Sequence, residues 1–229
     1  MKTVGIIQPS FIPWKGYFHV IKRCDIFVFL DDVQYTNRDW RNRNKIKALD
    51  GTQWLSVPTH SISHKSIINK TIINYSINWQ RKMMHAIYRN YSKAPFFNDY
   101  VNIIEGLLFG KSYKTISDLD TETTIALARE LGIYGTEFLL SSNLRCPGKK
   151  SEKILNVCLH LGADCYISGP SGLNYLSLKD FKKHDIDVII HNYDYPEYAQ
   201  LYSNFVHEVS IIDMLFNLGR SAPNYIWNQ

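Results

Sequence analysis

A chain of 229 residues, 45% hydrophobic and 21% charged, has the make-up of an ordinary folded domain, which excludes a low-complexity tail and a disordered segment. No run approaches about 18 consecutive apolar residues, so a single membrane span is excluded. The opening apolar run, broken by Gln8-Pro9, is too short for a secretory signal, and the expected location is the cytoplasm.

Val4-Gly5-Ile6-Ile7 reads as a short buried strand, stopped at Gln8 because the residue before a proline is pushed out of the helical region. Gly16–Arg23 has helical spacing, with Tyr17, Val20 and Ile21 on one side. The continuous apolar run Ile26–Leu30 is a second strand, of the kind a sheet covered on both faces requires. Residues 36–47 form a dense polar segment, Asp50-Gly51 is a turn signal and Trp54–Val57 another strand. Residues 59–75 alternate weakly, as a hairpin or an ordered flap would, and helices are predicted near 78–91 and 96–108. Ser117–Leu131 reads as a helix capped by Ser117, with Asp118 and Asp120 favoured by its dipole and Gly132 ending it. Glu137–Leu140, Asp164–Ile167 and Asp187–Ile190 read as strands, and Ser151–Leu161, residues 177–184 and Ile211–Leu218 as helices. This alternation predicts a single α/β domain over residues 1–229, a layered, mostly parallel, Rossmann-like sheet. Residues 36–115 form an irregular or helical middle segment, a candidate inserted lobe.

The formal charge is +5, unevenly spread. Residues 1–100 hold 15 basic and 6 acidic groups, the remainder 11 and 15. That split points to a local anion site rather than a uniformly basic coat, and both phosphate-bearing small molecules and RNA suit it. Cys24, Cys146, Cys158 and Cys165 form no C-x-x-C pair and read as buried structural thiols.

Ligands of open α/β sheets bind beyond the carboxyl ends of the strands. The candidates are therefore Gln8-Pro9-Ser10, Asp31 to Tyr35, Ser141-Ser142-Asn143, Ser168 to Gly172 and His191 to Asp194. Turns favour the same residue types. Adjacent Asp31 and Asp32 would point to opposite sides of an extended stretch, one of them free to orient or deprotonate an acceptor, or to hold Mg. The bland alternative is a carboxylate that satisfies loop amides. In Arg38–Lys45, Arg41 and Arg43 would share a face if extended and hold phosphate oxygens, with Lys45 in support. Trp40 and Trp14 are candidates to stack on a base or sugar. Ser168-Gly169-Pro170-Ser171-Gly172 offers amides and hydroxyls to a phosphate, but it is neither G-x-x-x-x-G-K-[ST] nor G-x-G-x-x-G. His191, with Asp194 nearby, is the candidate general acid or base, and His19 a candidate anion ligand. His60 and His64 are four apart in a stretch that does not read as helical, and H-E-x-x-H is absent, so no metal site is expected. No resident cofactor is fixed by these residues; a nucleotide and Mg are the candidates.

The blocks I-I-Q-P-S-F-I-P-W-K-G-Y-F, D-I-F-V-F-L-D-D-V-Q-Y and W-R-N-R-N-K-I-K resemble the WbqC-like protein family. So do Y-I-S-G-P-S-G-L-N-Y-L, Y-P-E-Y-A-Q and S-I-I-D-M-L-F-N-L-G, and together they span nearly the whole chain. Gln8, Trp14, Tyr17, Asp31, Asp32, Gln34, Tyr35, Asn42, Arg43, Gly169 and Tyr175 match its motif positions. The resemblance implies work on an activated, amino-bearing sugar in O-antigen or other surface polysaccharide synthesis. With the candidate phosphate-binding residues, the expected activity is that of a transferase on a nucleotide-linked sugar, with acyl or aminoacyl transfer as its concrete form. A weaker analogy joins the strand, proline loop and glycine-started helix to nucleotidylyl-transfer enzymes of the HIGH class, but Gly16-Tyr17 stands where those enzymes place Gly-His. Two alternatives from other classes stay open. One is a non-catalytic RNA-binding protein using residues 38–47. The other is a scaffold of a glycan-assembly complex presenting 209–218, a helix that also qualifies as a homodimer surface.

Overall fold

The computed structural model describes residues 1–60, 66–202 and 204–227. Its centre is a five-stranded parallel sheet of β1 (Thr3–Ile7), β2 (Ile26–Phe29), β5 (Glu137–Leu140), β6 (Cys165–Ser168) and β7 (Asp187–Ile190), in the order β5-β2-β1-β6-β7. The chain builds outward from β1 on one side, then returns to β1 and builds outward on the other. That is the Rossmann-like arrangement, with its switch point between β1 and β6.

Side chains of successive strand residues leave opposite faces, and both faces are covered. Phe27, Phe29 and Ile167 enter the larger core, beneath α1 (Lys15–Lys22), α4 (Ile116–Glu130) and α8 (Ile211–Leu218). Val4, Ile6, Ile26, Val28 and Tyr166 enter the smaller core, against Ile154, Leu155, Val157 and Cys158 of α6 (Lys150–Leu161) and Phe181 of α7 (Leu178–Lys183). Gly5 lets α1 approach closely, because a Cβ there would lie 2.6 Å from the Cys24 sulfur. All four cysteines are free and buried.

Between β2 and β5 lie the hairpin β3 (Arg43–Ala48) and β4 (Gly51–Ser56), α2 (Trp79–Tyr91) and α3 (Phe97–Phe109). The polar segment read over 36–47 is thus half strand. R-N-K-I-K carries a single apolar residue, and it is pairing with β4 that makes it extended. Leu49-Asp50 turns the hairpin, with Gly51 at φ +113°. Ile46, Leu55, Trp79, Ile87 and Ile104 belong to the same continuous core as Phe27 and Phe29. Of the stretch 59–75, the described residues make single bridges Thr59↔Ile73 and Ile72↔Thr115 and a 3-10 turn at Ile68–Lys70.

Two further readings need correction. The cap of α4 is Thr115, whose hydroxyl accepts from the Asp118 amide at 3.2 Å while the Asp118 carboxylate accepts from the Thr115 amide at 2.9 Å. Ser117 lies inside the helix. Ser141-Ser142-Asn143, read as a loop, opens the one-turn helix α5 (Ser141–Leu144). Every residue of α8 is buried within this chain, Phe216 completely, so the helix closes the core. A one-turn helix α9 (Asn224–Trp227) ends the described chain.

Replacing Thr115 with Ala removes one half of the reciprocal cap. The expected cost is about 1 kcal/mol, read as a lower urea midpoint at unchanged slope.

Candidate functional site

The switch point of the sheet opens into a cavity of about 1030 Å³. Ile6, Ile7 and Gln8 from the end of β1 face Ser168 and Gly169 from the end of β6 across its floor. The arrangement follows from topology, because helices leaving β1 and β6 run to opposite sides of the sheet and part the chain there.

The wall formed by residues 8–17 is held by side chains. Buried Asn44 donates to the carbonyls of Phe11 and Ile12, both at 2.9 Å, and Ser210 donates to the Ile12 carbonyl at 2.7 Å. These bonds hold Ile12 at φ +34°, a conformation a β-branched residue adopts only when its surroundings impose it. Gly16 leaves room for the Trp14 indole to fold back over the start of α1. Trp14 then meets Tyr193 edge to face, with centroids 4.9 Å apart. The Tyr193 hydroxyl would sit 2.9 Å from any Cβ at position 169, which accounts for the glycine there.

Of the sequence-nominated residues, Gln8, Trp14, Tyr17, Gln34, Trp40, Arg41, Ser168, Gly169, Ser171 and Tyr175 line this cavity. Arg41 donates to the Gln8 amide oxygen and lies 3.6 Å from Asp39. Arg41 and Arg43 do not share a face. The chain turns between them, and the Arg43 guanidinium stacks on Trp54 at 4.1 Å on the far side of the wall, with Lys45 above the same ring at 5.2 Å. Asn42 is buried and donates to the Val57 carbonyl at 2.9 Å, so its amide braces the hairpin. Tyr35 is buried behind the cavity. His64 lies outside the described residues.

Asp31 is buried. Its carboxylate accepts from the Ser142 amide at 2.9 Å and the Ser142 hydroxyl at 2.8 Å, so it caps α5. Its own amide donates to the Ser141 hydroxyl at 3.1 Å. Ser141 has one proton to give, and the shorter of its two carboxylate contacts is 2.5 Å to Asp32. Asp32 also takes the Lys153 ammonium at 2.6 Å, and Lys153 donates to the Cys146 carbonyl at 2.6 Å. An ammonium has three donors, so one remains for the cavity that Lys153 lines. These donors account for the hydrogen bonds that both carboxylates make within the chain. Among the described residues no group of three or more His, Cys, Asp or Glu gathers as metal ligands would.

His191 and His19 stand behind the Tyr193 wall and do not line the cavity. Arg23 always donates, so the His191 Nδ1, 3.2 Å away, must accept. The proton of neutral His191 is then on Nε2, facing the Tyr195 hydroxyl at 3.1 Å, and Tyr195 donates to His19 Nδ1 at 3.0 Å. Burial and the Arg23 charge hold both imidazoles down to about 4. In place of the acid or base read for His191, the structure has a neutral relay bracing an aromatic wall.

Several cavity residues escaped the sequence reading. Lys150 and Lys153 come from the first turn of α6, whose cap Lys149 supplies no side-chain oxygen to the free amides. Cations and a helix N-terminus therefore meet at one end of the cavity, the arrangement that holds phosphate. The Gly148-Lys149-Lys150-Ser151 helix start was the available signal. Glu208 stands exposed at the mouth. Asp120, assigned to the dipole of α4, is fully buried with neither carboxyl oxygen hydrogen-bonded. Burial pushes its pKa well up from the ordinary carboxylate value, against the opposing charge of Arg41.

Residues 8–225 match the WbqC-like protein family. The chain belongs to that family. The uncharacterized protein Rv1507c of Mycobacterium tuberculosis is 37% identical over 229 residues, covering 99% of this chain and 98% of that protein. No solved structure matches the chain. Among the described residues no helix is long and apolar enough to cross a membrane.

The two histidines give a pH signature. They take up protons near pH 6.5 when unfolded but only near 4 when folded, so protons favour the unfolded chain between those values. Stability should fall as pH drops from about 6.5 to about 5, above the range where most carboxylates titrate. Urea midpoints at stepped pH should show this slope in the native chain and a flatter one in His191→Phe.

Proposed function

We propose that this WbqC-like protein is a transferase acting on a nucleotide-activated, amino-bearing sugar during surface polysaccharide assembly, by acyl or aminoacyl transfer. The observation that carries the reading is one cavity at the sheet's switch point joining a cationic end to an aromatic middle. Lys150, Lys153, Arg41 and the first-turn amides of α6 would hold the diphosphate. Trp14, Trp40, Tyr175 and Tyr193 offer ring faces for the base and the sugar. Family membership supports the setting, and the size of the cavity accommodates a nucleotide-sugar, falling at the upper end of small-molecule sites.

In the transfer, the sugar amine would attack the acyl carbon. The new N–C bond forms as the donor's bond to its leaving group breaks, and the amine proton passes to a base. Glu208, at the mouth, is the acidic side chain among the described lining residues and our candidate for that base. Asp32 serves by setting the position of Lys153. Amides near Gly169 are our candidates to stabilise the developing oxyanion.

Calorimetric titration with a panel of nucleotide-linked amino sugars tests the assignment. Binding should be measurable for at least one, and Arg41→Ala or Lys150→Ala should weaken it about 10-fold or more. Absence of binding across the panel, or unchanged affinity in both variants, rejects the reading.

A further inference from the structure

The wall carrying Arg41 has a second side. There the β3–β4 hairpin and α2 enclose a separate groove of about 680 Å³. Successive residues divide between the two hollows: Arg41 and Asn44 face the first, Asn42 and Arg43 the second.

Arg38, Arg43 and Lys82 line this groove, and the described lining contains no Asp or Glu. None of the three takes part in an ion pair among the described residues. Three uncompensated cations around one hollow select an anion. The groove also has an apolar side, built from Trp54, Trp79, Ile77 and Met83. Trp54 is 40% exposed, and the Arg43 guanidinium lies over its ring, a stack that fixes the plane of the fork while leaving its edge to donate. Hydrogen-bonding capacity is also unspent here. The Arg43 Nε and Trp79 Nε1 donors and the Asn42 Oδ1 acceptor are buried without partners. Native structures seldom leave such groups unmet, and a ligand offering both acceptors and donors would match them.

We propose that this groove binds a phosphorylated aromatic ring compound of mononucleotide size, with the phosphate on Arg38, Arg43 and Lys82 and the ring against the tryptophan side. A strand of nucleic acid fits less well. The basic stripe Arg43, Lys45, Lys47 that would track its phosphates is interrupted, because Lys47 is buried and donates to the Asn204 carbonyl. The inference is independent of the activity proposed for the first cavity.

The test is calorimetric titration of the full chain, and of a Lys150→Ala variant disabled in the first cavity, with adenosine and uridine 5′-monophosphates. The matching nucleosides, inorganic phosphate and a ten-residue single-stranded RNA serve as comparison ligands. At least one nucleotide should bind with about 1:1 stoichiometry in the Lys150→Ala background. Lys82→Ala, an exposed change that leaves the core intact, and Arg43→Gln should each weaken binding about tenfold. Trp54→Leu should weaken the nucleotide more than inorganic phosphate. The proposal is overturned if neither nucleotide binds, or if binding disappears with Lys150→Ala but survives Lys82→Ala and Arg43→Gln. Phosphate binding as tightly as the nucleotide rejects the ring subsite. Binding confined to the RNA makes the groove a nucleic-acid surface instead.

Discussion

The start of α6 and its Lys153 are held in place by two adjacent carboxylates just beyond the end of β2. Asp31 turns inward, accepts the first donors of α5 and ties β2 to the chain leaving β5. Asp32 meets the same Ser141 hydroxyl and fixes the ammonium of Lys153, which also donates to the Cys146 carbonyl. A carboxylate in a half-dry setting persists only if donors surround it, so the pair compels the serines, the lysine and the start of α6 into one arrangement. Loss of one partner would leave the other buried and charged. The geometry of the anion end is therefore a by-product of satisfying Asp31 and Asp32.

The opposite wall obeys a comparable constraint. Asn44 and Ser210 secure the carbonyls beneath Trp14, and the Arg23–His191–Tyr195–His19 relay stiffens the aromatic rings behind it. Lys15 belongs to this scaffolding. Buried among Trp14, Tyr195, Tyr198 and Phe205, with its ammonium 3.1 Å from the His207 carbonyl, it is brought down to about 8 chiefly by burial. Cations held by aromatic rings and carbonyls knit the segment after β7 to the first helix.

Much of the architecture was legible in the sequence for a simple reason. A strand buried on both faces must be apolar throughout, and Ile26–Phe29 can hardly be anything else. The strand-end rule then nominated Gln8, Gln34, Ser168 and Gly169 without knowledge of strand order. Arg43–Ala48 was hidden because its extended form comes from a partner strand rather than from its own residues. Lys150 and Lys153 were hidden because only the order of the sheet decides which helix start meets the cleft. His191 misled because a strand-end imidazole looks the same whether it faces solvent or an arginine.

The strand order also bears on how the molecule is made. β1 and β2 are made well before their outer partners, since β6 begins at Cys165 and β5, the partner of β2, at Glu137. While residues 30–136 are being made, the sheet strands available are β1 and β2, with both edges open and aromatic residues on show. Non-local pairing of this kind is slow and exposes sticky edges while it waits. The hairpin and the helices α2 to α4, all encoded in that interval, pack on the Phe27 face, whereas the cover of the other face comes from the later helices α6 and α7.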